Sequence, residues 1–184
     1  MIKSVTVYLG SSEGNSPIFM QTAFELGAIL ASNKIDVIYG GSVLGTMNAL
    51  ATGALSKGGK VTGIMPKNFR GGEIAKSGID FITVNDMSER KKLLEELSDA
   101  VIVLPGSFGT MDELFQYAVH KQLGYINKNI YILNLNGYYN HLKMQFDTMY
   151  NCGFIKFNHN EFFNYCNTLD ELIISLKKMV RSLT

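Results

Sequence analysis

Cysteine, histidine and excess charge are all scarce in this chain. Its 184 residues include two cysteines and three histidines, and the formal net charge is +1. Cys152 and Cys166 belong to no CxxC pair, and with the scattered histidines they give no zinc-ligand spacing, so no metal site is expected. Two cysteines do not build a disulfide framework, which points to a reducing compartment. Acids and bases are interleaved, which argues against a nucleic-acid stripe or a polybasic membrane patch. No apolar run approaches the ~20 residues that a membrane span needs. The run Val5-Thr6-Val7-Tyr8-Leu9 is too short for a signal-peptide core, and no cleavage pattern follows it. The expectation is a cytoplasmic protein with no membrane or nucleic-acid partner. Repeats, linkers and low-complexity tracts are absent as well. With 46% hydrophobic residues, the chain reads as a single domain over 1–184 with a full core.

What is present is alternation. Strand-like apolar runs fall at 4–9, 36–39, 60–65, 80–84, 99–104 and 129–133. Helical periods lie between them: one opened by Ser16-Pro17, a small-residue helix over 46–56, one over 87–97 and one after Gly109. Asn136-Gly137 makes a turn, and helices over 139–150 and 168–181 close the chain. Strands that alternate with helices form βαβ units and a mostly parallel sheet. The strands are continuous apolar runs, as expected when both sheet faces are covered. The fold class is therefore α/β, doubly wound and Rossmann-like.

In such sheets ligands bind at the carboxyl ends of strands. Three glycine-rich segments fall there: Gly10-Ser11-Ser12-Glu13-Gly14, Gly40 to Gly45, and Gly106-Ser107-Phe108-Gly109. None has the G-x-G-x-x-G spacing, and no P-loop is present. Each alone is compatible with a tight strand-to-helix turn. The third is the most informative. It joins an apolar strand directly to an amphipathic helix, whose first amides are unpaired and suit a phosphate. Gly106, Ser107, Gly109 and Thr110 offer unhindered N–H groups and two hydroxyls.

Glu113 sits one turn into that helix. Thr110-Met111-Asp112-Glu113 also spells a T-x-x-E capping box, in which the glutamate would reach back to the Thr110 N–H. The same pattern recurs at Thr168-Leu169-Asp170-Glu171 without a glycine loop, so the motif alone proves nothing catalytic. Arg90 falls on the apolar face marked by Met87, Leu94 and Leu97. It either snorkels at the edge of that stripe or meets a carboxylate or phosphate at the strand ends. Lys91 reads as an i,i+4 partner of Glu95, and Asp86 and Glu89 as caps of the same helix. Glu73 lies in a polar loop, and His120 reads as a packing residue.

These residues match a pattern. Pro105-Gly106-Ser107-Phe108-Gly109-Thr110-Met111-Asp112-Glu113 resembles the PGGxGTxxE motif of the LONELY GUY family, the cytokinin riboside 5′-monophosphate phosphoribohydrolases. Met87-Ser88-Glu89-Arg90-Lys91 resembles its arginine–lysine element, Tyr39-Gly40-Gly41-Ser42 its YGGG element, and Gly63-Ile64-Met65-Pro66 a further segment. Tyr8 to Ser12 and Asn136-Gly137-Tyr138-Tyr139 extend the likeness over nearly the whole chain. Ser42 and Ser107 replace family glycines, so a Cβ that strains the loop at 107 is one expectation.

The resemblance implies hydrolysis of the N-glycosidic bond of an adenine-type nucleoside 5′-monophosphate, AMP or a cytokinin ribotide, with no cofactor. It implies Arg90 and Glu113 as the catalytic pair. Substrate and phosphate contacts would come from Gly10, Ser11, Gly41, Glu73, Met87, Lys91, Gly106, Ser107, Phe108, Gly109 and Thr110. It also implies a homodimer or higher homo-oligomer. A non-catalytic nucleotide or cofactor carrier on the same fold is the alternative.

Overall fold

The computed structural model describes residues 2–67 and 77–181, with side chains only as far as Lys177. Seven strands form one sheet: β1 (Ser4–Tyr8), β2 (Asp36–Tyr39), β3 (Val61–Pro66), β4 (Ile79–Val84), β5 (Ala100–Val103), β6 (Asn129–Leu133) and β7 (Asn164–Cys166). Their order is β4-β3-β2-β1-β5-β6-β7, and every pairing is parallel. The helices are α1 (Pro17–Ser32), α2 (Gly45–Ser56), α3 (Met87–Glu96), α4 (Phe108–Gln122), α5 (Asn140–Asn151), α6 (His159–Phe162) and α7 (Leu169–Arg181). The sheet is thus wholly parallel among the described residues, where a mostly parallel one was expected. Sequence periodicity missed α6 and β7, because Asn164-Tyr165-Cys166 is too short to show a period.

Alternation along each strand divides the core in two. Val37 and Tyr39 of β2, Ala100 and Ile102 of β5, and Tyr131 and Leu133 of β6 pack with α1, α2 and α7. Ile38, Val101, Val103, Ile130 and Ile132 point the other way, toward Leu94 of α3, Leu114 and Tyr117 of α4, and Phe146 of α5. Both faces are covered, which is why the strands read as unbroken apolar runs.

The chain builds outward from β1 to β4 on one side, then returns to lay β5 against the other edge of β1. That reversal opens a crevice at the carboxyl ends of β1 and β5. The loops after Tyr8, Tyr39 and Val103 all lead into it.

The small-residue composition of α2 has a packing cause. A Cβ on Gly53 would stand 2.0 Å from the carbonyl oxygen of Phe24, and one on Gly27 would stand 2.1 Å from that of Leu50. The backbones of α1 and α2 are in reciprocal close contact, so neither position has room for a side chain. Gly53→Ala is expected to lower stability by about 1–3 kcal/mol, because backbone rather than a flexible side chain must move. Urea denaturation followed by circular dichroism checks this; an unchanged midpoint and slope would show that the helix pair can part freely.

Candidate functional site

Arg90 and Glu113 meet inside the crevice. The Arg90 Nη1 group donates to Glu113 Oε1 at 2.7 Å, Nε donates to the Ile64 carbonyl at 3.0 Å, and Nη2 donates to the Gly40 carbonyl at 3.2 Å. One guanidinium thus ties α4, β3 and the loop after β2 to α3. The pair is deeply buried, with 7% of Arg90 and 5% of Glu113 exposed. Of the two readings of Arg90, the carboxylate partner is the one observed. Burial raises the Glu113 carboxyl above its ordinary value of 4.5, although the charge and hydrogen bond of Arg90 pull it down.

The T-x-x-E sequence at Thr110 is not a capping box. Helix α4 starts at Phe108 with Ser107 as its N-cap, so Thr110 already lies inside the helix. Glu113 turns toward Arg90 instead of back along its own helix. The second copy of the pattern does cap. Glu171 N–H donates to Thr168 Oγ1 at 3.2 Å, and Glu171 Oε2 accepts from the Asn167 N–H at 2.7 Å. At α3, Glu89 N–H donates to Asp86 Oδ1 at 2.9 Å and Glu89 Oε2 accepts from Asn85 N–H at 2.7 Å, so both acids cap as expected.

The N-terminus of α4 lacks both devices, as do those of α1, α2 and α5, and is set apart by the orphan hydroxyl beside it. The Ser107 side chain makes no capping hydrogen bond, and the first turn carries no acid. Thr110 Oγ1 is buried and without a hydrogen-bond partner. A helix start with its amides uncapped and an orphan hydroxyl beside them is suited to an anion.

Two cavities flank this helix start. One, about 140 Å³, is lined by Ser11, Gly40, Ser42, Met47, Met87, Arg90, Ser107, Gly109, Thr110 and Glu113, with Leu9 and Pro66. The other, about 210 Å³, is lined by Gly10, Ser12, Glu13, Gly14, Phe19, Thr46, Pro105, Gly106, Ser107 and Tyr138. Ser107 belongs to both. Gly10 and Gly106 approach closely in the second: a Cβ on Gly106 would lie 3.0 Å from Gly10 N and 2.1 Å from Thr110 Oγ1. A larger cavity of about 350 Å³, lined by Ile2, Ile29, Ile35 and Leu176 among others, lies away from the ion pair and its loops.

The expected contact residues divide accordingly. Ser11, Met87, Ser107, Gly109 and Thr110 stand with Arg90 and Glu113, and Gly10 and Gly106 lie in the adjoining cavity. Gly41 lines neither, but its φ of +82° lets Gly40 and Ser42 turn inward. Phe108 is 93% exposed and lines neither cavity. Lys91 bonds to Asp112 Oδ1 at 3.0 Å, which corrects the expected surface pair with Glu95: Glu95 faces inward and is buried. Glu73 lies outside the described residues.

The expectation of strain at Ser107 does not hold, since its φ of −103° suits any side chain. Ser42 has no positive φ either, and its hydroxyl accepts from the Leu44 N–H at 3.2 Å.

Tyr138 and Tyr139 had drawn attention only as part of a motif. Tyr138 Oη donates to the Gly106 carbonyl at 2.5 Å, and Tyr139 Oη donates to the Leu104 carbonyl at 2.6 Å, so both pin the loop. Their place just after a strand end was the available signal. Tyr8, at the end of β1, is buried, and its hydroxyl feels the charges of both Glu113 and Glu95.

An all-parallel Rossmann-like sheet with an uncapped helix start and a buried arginine–glutamate pair at its strand ends defines a doubly wound α/β protein with an anion-suited crevice at its carboxyl edge. Comparison with known proteins narrows it. The family described as "Possible lysine decarboxylase" matches residues 47–176. The chain is 36% identical to a probable cytokinin riboside 5′-monophosphate phosphoribohydrolase of Oryza sativa subsp. japonica, over 97% of this chain and 80% of that one. It is 41% identical to the cytokinin riboside 5′-monophosphate phosphoribohydrolase of Rhodococcoides fascians, over 74% of this chain and 70% of that one. The chain belongs to this family, that of the LONELY GUY proteins. The same fold is seen in the molybdenum cofactor carrier protein of Chlamydomonas reinhardtii, with TM-score 0.73, 18% identity and coverage of 98% and 99% of the two chains. It recurs in the molybdenum cofactor binding protein of Rippkaea orientalis, with TM-score 0.72, 21% identity and 98% of each chain covered.

The three acceptors around Arg90 need a planar fork. Arg90→Lys keeps the charge but offers one compact head, and is expected to lower stability by roughly 1–3 kcal/mol. Chemical denaturation measures it; a lysine variant as stable as the parent would show that charge alone holds the site.

Proposed function

We propose that this chain hydrolyses the N-glycosidic bond of adenine-type nucleoside 5′-monophosphates, AMP or cytokinin ribotides, releasing the free base and ribose 5-phosphate. The observation that carries this reading is the juxtaposition, in one crevice, of an uncapped helix start with the orphan Thr110 hydroxyl and a buried carboxylate one turn further on. The first suits a 5′-phosphate and the second suits a sugar carbon that becomes cationic. Family membership and the relatives' names point the same way.

Departure of the base leaves positive charge on the ribose, as at a glycosidic oxocarbenium ion. Glu113 stabilises that charge or takes a proton from the attacking water. The water oxygen bonds to the anomeric carbon, and the base leaves with the glycosidic electron pair and takes up the proton that the water has given up. Arg90 holds the Glu113 carboxylate ionised and fixed in direction. Phosphate bound at the α4 start positions the sugar, so binding energy remote from the breaking bond serves the chemistry.

The whole chain acts in this reading as one nucleotide-binding domain, in the cytoplasm. Free Cys152 and Cys166 suit a reducing compartment. It acts as a homodimer joined through α4, where Phe115, Val119 and Leu123 form an exposed apolar stripe at i, i+4 and i+8. Val119→Asp is expected to yield a monomer in light scattering; a monomeric parent would remove the dimer from the proposal.

The deciding assay incubates the protein with AMP and with N6-isopentenyl-AMP and separates free base by chromatography. Tight binding without base release would favour a carrier. Glu113→Gln is expected to abolish turnover and leave nucleotide binding largely intact; parent-like turnover would take Glu113 out of the mechanism. The reaction needs the carboxylate, and burial raises that group, so activity is expected to fall on the acid side with a midpoint above 4.5.

A further inference from the structure

Helices α3 and α4 share a second buried polar contact that the proposed reaction does not use. Glu95 is only 4% exposed. Its Oε2 lies 2.7 Å from His120 Nδ1, and its Oε1 accepts from Gln116 Nε2 at 3.1 Å. Both partners belong to α4. The pairings advance together, Arg90 with Glu113 and Glu95 with Gln116 and His120, so the two helices run in the same direction.

Burying a carboxylate against a neutral amide and an imidazole is a costly way to fill space, and an apolar side chain packs as well or better. The contact therefore calls for a geometric explanation. Glu113, Gln116 and His120 lie on one stripe of α4. Apolar packing of Leu114 and Tyr117 seats α4 against the sheet but is non-directional; hydrogen bonds at two points of the stripe that carries Glu113 fix its rotation more finely. A further polar link between these helices, Lys91–Asp112, has a half-exposed acid and is screened by water. Helix α3 is itself anchored elsewhere. Thr6 Oγ1 donates to the Leu94 carbonyl at 2.6 Å, and Lys128 Nζ donates to the carbonyls of Glu95 and Glu96. Helix α3 is thus anchored independently of α4 and gives the Glu95 contact a fixed reference.

We infer that Glu95 and His120 are positioning residues, which fix the rotation of α4 and so aim the Glu113 carboxylate. This rests on the role given to Glu113 above. Burial raises the hydroxyls of Tyr8 and Tyr117 above their ordinary value, with Glu113 and then Glu95 adding to the effect on Tyr8 and Glu95 to that on Tyr117. The two carboxylates therefore share one buried interior.

Three variants test the inference. His120 is about one-third exposed, so His120→Ala is expected to fold. It should lower kcat about tenfold with KM little changed, since a small misdirection of the carboxylate costs rate more than binding. It should also raise the titration midpoint of Glu113, read by carboxyl carbon NMR, by about one unit as Arg90 loses its grip. His120→Gln, which restores a donor, should recover most of the rate. Glu95→Leu should be at least as stable as the parent and still slow, which a mere packing role does not explain. Parent values of kcat and of the Glu113 midpoint in His120→Ala and Glu95→Leu would overturn the inference. A parent protein that releases no base would instead sink the functional reading, and the Glu113 midpoint in His120→Ala would still decide whether the contact positions it.

Discussion

The buried ion pair between Arg90 and Glu113 is the constraint on which the site depends. Two charges taken from water at the strand ends demand partners, and the fold supplies them from four places. Glu113 comes from α4, the Ile64 carbonyl from β3, the Gly40 carbonyl from the loop after β2, and Arg90 itself from α3. Each acceptor is offered in the direction the guanidinium fork requires. The pair therefore reports on the register of the whole carboxyl edge. It also explains Gly40 as space for the arginine: a Cβ there would stand 2.0 Å from Nη2.

Around this pair the sheet edge is built by close approaches rather than by large side chains. Gly10 and Gly106 bring the loops after β1 and β5 together. Thr46 Oγ1 donates to the Gly10 carbonyl at 2.7 Å and fastens the first of these loops to α2. Tyr138 and Tyr139 hold the second from the β6 side. The amide-lined start of α4 has neither a side-chain cap nor an acid in its first turn, and its residues line the cavity that holds the ion pair. Helix α3, one crossover away, has both. One helix start is closed by its own sequence and the other is left uncapped at the crevice.

Most of the architecture was legible in the chain. The boundaries of β2 and β6 agree residue for residue with the apolar runs, and the other long elements agree within a residue or two. The strands are legible because burial on both faces leaves unbroken apolar runs. The failures are physical. Tripeptide β7 and the single turn of α6 are too short for any period to show. The expected pair of Lys91 with Glu95 followed helical spacing, but tertiary packing turned Glu95 toward α4 and Lys91 toward Asp112. Spacing gives neighbours on one helix and is silent about a second helix.

The contrast between the two T-x-x-E segments marks the limit of local sequence. Both stand at a helix start with the same residue types. At Thr168 the glutamate folds back and caps; at Thr110 the helix begins two residues earlier and the glutamate reaches Arg90. By itself the chain determined an α/β sheet wound on both faces, the positions of its glycine-rich turns and the residue types gathered at its carboxyl edge, because periodicity and turn chemistry act over a few residues. Only the tertiary structure decided that Glu113 is a buried partner rather than a cap, that Ser107 sits without strain, and that a second carboxylate shares the interior. Those outcomes depend on which elements are brought together across the sheet, and the free energy of burying a charge is settled by neighbours that are distant in sequence.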